Sequence, residues 1–195
     1  MDTITVKDEI RKVMRAQRAT LEPAWVKAIS DQLAARLMVL PEFVHAEVIC
    51  AYLSLPGEVQ TQAILKAAWL AGKKVAVPAR RDDGEYMPVW ITPDDPVLTA
   101  RFGVRQPAVP FWAKPDRFDL IIVPGVAFSH DGARLGHGKG YYDRMLARLA
   151  PRLGCRLGIC FSCQLVPEIP VTEHDVGMQL IVTENTVIRA GGKHD

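Results

Sequence analysis

A chain of 195 residues, 49% of them apolar and 24% charged, has an ordinary globular composition and suits one domain with a real core, which excludes a disordered or fibrous protein. A net charge of +2 leaves no dominant electrostatic partner and argues against nucleic acid. Asp2, Asp8 and Glu9 stand where a secretory signal would be apolar, and the longest apolar stretch, Leu120 to Phe128, is broken by Pro124 and Gly125, too short to span a bilayer; a cytoplasmic protein with no membrane partner is expected.

Lys7 to Arg18 has helical spacing, with Val6, Ile10, Val13 and Met14 on one side and Lys7, Arg11, Arg15 and Arg18 in a narrow basic arc. Pro23 opens a second helix through Trp25, Ile29, Leu33 and Leu37, which Pro41 ends, with Trp25 as a core anchor. Ala46 to Tyr52 is the first strand candidate. Leu53 to Gly57 is its exit loop, and ligands sit at such loops in parallel sheets. A helix then runs from Glu58 through Ile64, Leu65 and Trp69, with Glu58 complementing the helix dipole. Lys73 to Ala79 is a buried strand and Tyr86 to Ile91 another, at an edge, while Met87, Trp90, Phe111 and Trp112 read as core. Pro93 to Pro115 is a long irregular, proline-rich connection of the kind that serves a site.

Asp119 to Pro124 is an unbroken apolar run, as in a strand buried on both faces. Arg134-Leu-Gly-His-Gly-Lys-Gly-Tyr-Tyr-Asp143 is placed directly after such a strand and before a helix carrying Met145, Leu146 and Leu149. Gly136, Gly138 and Gly140 permit positive φ and close approach, so successive amides can converge on phosphate oxygens at a helix N-terminus, with Arg134 and Lys139 adding charge. The spacing is neither that of a P-loop nor of the dinucleotide fingerprint. Beyond it, Cys155 to Cys160 and Gln179 to Thr183 read as strands, with Thr186 to Arg189 as a further candidate, and Gly191 to Asp195 as a disordered tail. Cys50, Cys155, Cys160 and Cys163 read as structural thiols, since Cys160 and Cys163 lack the second ligand pair of a zinc site. Alternating strand and helix candidates predict an α/β fold: a single open, mostly parallel twisted sheet with helices on both faces, in one domain over 1–190.

Pro124-Gly-Val-Ala-Phe128, Gly132, Arg134-Leu-Gly136 and Gly138-Lys-Gly-Tyr-Tyr-Asp-Arg144 together resemble the signature of 5-formyltetrahydrofolate cyclo-ligases, also called methenyltetrahydrofolate synthetases. The resemblance implies an ATP site formed by Lys7, Arg11, Arg134, Leu135, Gly136, His137, Gly138, Lys139, Gly140, Tyr141, Tyr142 and Asp143, with Pro78 against the adenine. It implies folate contacts from Leu55, Glu58 and Gln60, shared with Lys139, Gly140 and Tyr141, and Mg²⁺ held by Asp143 with Asp175. Lys7, Arg11, Arg134, Lys139 and Tyr141 take the catalytic roles. Many family members have an acid where this chain has Gln106 and an Asp where it has Ser129, with Asp131 two residues on.

The implied reaction phosphorylates the formyl oxygen of 5-formyltetrahydrofolate with ATP, closes the ring through N10 and releases ADP and phosphate. Such chemistry needs positioning and charge stabilisation rather than a side-chain nucleophile. The small-molecule substrate is the expected partner, and the protein is expected to be a monomer or weak homodimer. A non-catalytic folate or nucleotide binder, disabled at Ser129 and Gln106, is the alternative; restoring the acids would then recover turnover. A sugar-phosphate isomerase on a similar sheet would need an acid/base pair that the chain does not offer.

Overall fold

The described residues, 2–99 and 105–190 of a computed structural model, are built on one large twisted sheet. The expected tail at 191–195 and residues 100–104 of the proline-rich connection lie outside them. The sheet's centre is parallel: β1 (Val48–Cys50) lies between β2 (Lys74–Arg80) and β7 (Phe118–Val123), followed by β10 (Leu153–Ile159) and β12 (Leu180–Val182). Antiparallel strands finish both edges, β13 (Val187–Arg189) beside β12, and β3 (Tyr86–Trp90) then β6 (Phe111–Trp112) beside β2. The expected α/β class is therefore observed, with β3 moved inward from the edge because β6 pairs outside it.

Alternation along β7 explains why helices cover both faces. Leu120 and Ile122 point into one core with Leu33 and Leu37 of α2 (Pro23–Met38) and Ile64, Leu65 and Ala68 of α4 (Gln62–Leu70). Ile121 and Val123 point the other way, onto Met145, Leu146 and Leu149 of α5 (Tyr141–Leu149). With helices on both sides, the strand's run from Leu120 to Val123 is apolar without a break, which is why it was legible. Pro41 does end α2 but also starts a short helix, α3 (Pro41–Val44). Trp25 stacks on Phe161 with ring centroids 5.0 Å apart, yet is partly exposed.

Chain order reverses between β1 and β7: from β1 the chain moves to β2 on one side, and from β7 to β10 on the other. The carboxyl ends of these two strands diverge there and leave a crevice. A second, three-stranded sheet borders it, made of β8 (Ala127–Ser129), β9 (Arg134–Leu135) and β11 (Leu165–Val166). The glycine loop thus follows β9, not the central β7 as expected. α1 (Thr3–Ala19) is capped by Asp2, whose carboxylate accepts from the Thr5 amide at 2.8 Å, and packs against β8 through Met14. Val13, expected on its apolar side, is exposed.

The proline-rich connection is more ordered than expected. β4 (Val97–Thr99) and β5 (Arg105–Pro107) pair antiparallel within it, and β6 follows. Phe111, expected in the core, is exposed on β6. Among the described residues no helix is long and apolar enough to cross a membrane.

Candidate active site

The loop from Gly136 to Gly140 takes its shape from two residues with positive φ, Gly138 at 97° and Gly140 at 64°; Gly136 has ordinary φ. Gly140 is also the N-cap of α5. Three arginines hold the loop by its carbonyls. Arg11 Nε donates to Gly136 O at 2.9 Å, Arg15 Nη2 to His137 O at 3.0 Å, and Arg144 Nη1 to Lys139 O at 2.9 Å. The amides of Gly136 to Gly140 find no intramolecular acceptor among the described residues. A loop with most of its carbonyls engaged and its donors unspent, ahead of a helix N-terminus, has the form of an anion cradle.

Arg134 sits beneath this loop with only 5% of its surface exposed. Its Nη2 pairs with Asp143 Oδ1 at 2.7 Å, its Nη1 donates to Pro124 O at 3.3 Å, and its Nε has no partner among the described residues. The guanidinium also lies 5.6 Å from the centre of the Tyr142 ring. Burial pushes the Tyr142 phenol well above its ordinary range, so it stays neutral.

Facing the loop across a cavity of about 340 Å³ is the segment between β1 and α4. The expectation that Glu58 lies in the first turn of α4 is not met, because Thr61 caps that helix. Its hydroxyl instead donates to Tyr52 O at 2.6 Å, and Gln60 N donates to the buried Ser30 hydroxyl of α2 at 2.9 Å. These bonds turn Glu58 toward the cavity, where it is 7% exposed and accepts from Leu55 N at 3.0 Å. His137 Nε2 approaches Glu58 Oε1 at 3.7 Å and joins the loop to this wall. Gln60 lies behind it, with Nε2 bonded to Glu58 O at 2.8 Å. Tyr52 and Leu53 beyond β1, Pro78 of β2, Tyr86 of β3 and Pro124 beyond β7 complete the apolar walls, and the Tyr86 ring packs tilted against that of Tyr141, centroids 4.8 Å apart.

Lys7 and Asp175 meet outside the cavity lining, Nζ to Oδ2 at 2.5 Å. Burial opposes ionisation of Asp175, but the Lys7 ammonium and the Thr172 amide and hydroxyl outweigh it and hold the carboxyl below its ordinary value. Val176 N reaches Asp143 Oδ1 at 3.4 Å, which ties the segment that follows Asp175 to the start of α5. Among the described residues, Asp143 Oδ2 and Asp175 Oδ1 accept no hydrogen bond. No cluster of three or more metal-ligating side chains occurs among those residues. An open carboxylate oxygen on Asp143 and another on Asp175 are the hard donors that magnesium takes, one or two at a time, and are too few for a calcium or zinc cage.

Of the expected site residues, Leu55, Glu58, Arg134, Gly136, His137, Lys139, Gly140, Tyr141, Tyr142 and Asp143 line one cavity. Gln60, Arg11, Lys7, Asp175 and Gly138 stand behind or beside it. Leu135 points its side chain into the small core with Met14, which leaves only its backbone for a ligand. Tyr52, Tyr86 and Arg105 were not singled out, and only Arg105 carried a signal, its place in the long connection. Both departures from the family pattern find partners. Ser129 Oγ donates to Asp131 Oδ1 at 2.5 Å, and Gln106 Oε1 accepts from Arg80 N at 3.1 Å. All four cysteines are free; Cys50 and Cys160 are buried, and burial pushes the Cys50 thiol up to about 12.

The sequence model of the 5-formyltetrahydrofolate cyclo-ligase family matches residues 3–184. The 5-formyltetrahydrofolate cyclo-ligase of Escherichia coli K12 is 31% identical over 179 residues, 90% of this chain and 98% of that one. A probable 5-formyltetrahydrofolate cyclo-ligase of Caenorhabditis elegans is 29% identical over 196 residues, covering 94% and 95%. Among solved structures, 5,10-methenyltetrahydrofolate synthetase of Aquifex aeolicus matches with a TM-score of 0.82 at 29% identity, over 97% of this chain and 95% of that one.

Proposed function

The chain belongs to the 5-formyltetrahydrofolate cyclo-ligase family, and from that premise we propose that it converts 5-formyltetrahydrofolate to 5,10-methenyltetrahydrofolate with ATP and Mg²⁺. The observation that carries this is the pairing, across one cavity, of a cradle of unspent amides over Arg134 with a fixed carboxylate at Glu58. The cradle suits a polyphosphate, and Glu58 suits the N–H donors of a pterin.

The γ-phosphoryl group of ATP passes to the formyl oxygen, which turns a poor leaving group into phosphate. N10 then attacks the formyl carbon, loses its proton to solvent, and the carbon–oxygen bond breaks as phosphate departs with that oxygen. Arg134 and Lys139, with the α5 N-terminus, bind the phosphates and offset the charge spread over the transferring group. Lys7 and Arg11 reach the phosphates from α1, and Arg11 also fixes Gly136 in place. Asp143, with Asp175, would hold magnesium, which when bound neutralises charge on the β- and γ-phosphates. Leu55, Glu58 and Gln60 orient the folate, and Tyr141, packed against Tyr86, offers it an aromatic wall. Tyr142 stays protonated and so serves as a donor, not a base.

Purified protein given 5-formyltetrahydrofolate, ATP and Mg²⁺ should develop the near-ultraviolet absorbance of the methenyl product. No change that depends on ATP would sink the assignment.

A further inference from the structure

Among the described residues the cavity has three cationic side chains on its walls, and the mechanism above uses two of them, Arg134 and Lys139. The third, Arg105, belongs to β5, outside the main sheet. It is half-buried, and no carboxylate of the described residues pairs with it. Its backbone is fixed on both sides. Arg105 is in register with Thr99 of β4, and the neighbouring Gln106 takes the Arg80 amide at the end of β2, two residues beyond Pro78 of the cavity wall. A guanidinium positioned against apolar walls without a counter-charge is poorly solvated, and a ligand oxyanion that binds it in two-point fashion relieves that cost.

Phosphate already has the glycine loop, the α5 N-terminus, Arg134 and Lys139. The other anionic groups that the proposed substrate brings are the carboxylates of its glutamyl residue. Resting on the folate assignment above, we infer that Arg105 binds a glutamyl carboxylate of the substrate and thereby selects for that end of the molecule. It is a specificity contact and takes no part in phosphoryl transfer.

The test compares two ligands that differ only there: 5-formyltetrahydrofolate and the analogue in which a neutral methylamide replaces the glutamyl residue. Dissociation constants are measured by fluorescence titration for the unmodified protein, Arg105→Ala and Arg105→Lys, alongside that of a non-hydrolysable ATP analogue. The unmodified protein should prefer the glutamyl ligand by roughly ten- to a hundredfold, the range for a charge-assisted hydrogen bond. Arg105→Ala should lose most of that preference while binding the methylamide and the ATP analogue as before, and Arg105→Lys should recover part of it. A preference that survives in Arg105→Ala overturns the inference. Equal weakening of both folate ligands, or weakening of the ATP analogue alone, overturns it as well, the first marking a structural role and the second a phosphate contact. If the unmodified protein binds neither folate ligand, the folate assignment fails and takes the inference with it. If turnover is normal and Arg105→Ala keeps the preference, only the inference fails.

Discussion

Arg134 is the most constrained side chain of the site, because a buried guanidinium tolerates its position only with a fixed counter-charge, and Asp143 supplies it at 2.7 Å. Asp143 uses one oxygen for this pair and leaves the other for a cation. Asp143→Asn keeps the shape but withdraws the charge, and should lower turnover by roughly a hundredfold and raise the Mg²⁺ concentration for half-maximal rate by at least about tenfold. Magnesium titration of the rate at saturating ATP, with circular dichroism to confirm folding, measures both. An unchanged half-saturation point would remove Asp143 from the metal role. Arg134 and Asp143 were legible because ten residues of chain hold both, with the glycines between them. Tyr86 was not, since an aromatic residue at a strand start looks the same whether it faces a core or a ligand.

At the scale of elements, α1 acts as a strut for the loop. Its basic arc, read from spacing alone, lies on the loop and its surroundings: Arg11 and Arg15 on loop carbonyls, Arg18 on Gly57 O at 3.0 Å, Lys7 on Asp175. The Lys7 pair makes a pH prediction. Asp175 has a lowered pKa in the folded chain, so its ionisation stabilises the fold fully above the ordinary carboxylate value of about 3.9. That contribution is lost as pH falls through the lower folded value. Lys7→Gln should therefore be less stable than the unmodified protein at pH 7, with the gap shrinking below about pH 4. Urea midpoints across that range report it; a gap as large at pH 3 as at pH 7 would separate Lys7 from Asp175 in energy. Long elements with a clear period were legible, as α2 and β7 were. β4, β5, β8, β9 and β11 have two or three residues each, too few to show any period. Glu58 was misplaced for a related reason, since the bond from Gln60 N to Ser30 Oγ that anchors its segment on α2 is tertiary and leaves no local trace.

For the molecule as a whole, the site depends on how the small sheet is joined to the large one. The parallel core and its switch point follow from apolar runs and the alternation of strand and helix, but no pattern in the chain announces the joint. Phe128 of β8 makes it: fully buried, its ring fills the space above Gly158 of β10 and Gly125 beyond β7. A Cβ on Gly158 would lie 2.4 Å from Phe128 Cε1, and one on Gly125 would lie 2.6 Å from Phe128 Cε2. These glycines are therefore required by packing against one ring, and neither has a positive φ. Since β8 leads through β9 to the cradle, a shift of Phe128 is carried to Arg134. Gly158→Ala should cost about 1–3 kcal/mol by overpacking and lower turnover with it. Phe128→Leu alone should cost a comparable amount, by leaving a cavity. Together the two should cost less than their sum, because the smaller side chain makes room for the added methyl, a coupling of at least about 0.5 kcal/mol. Urea unfolding of the two single variants and the double variant closes the cycle. Strict additivity would mean that Phe128 does not join the sheets, and the cradle would then have to owe its position to the arginines of α1 alone.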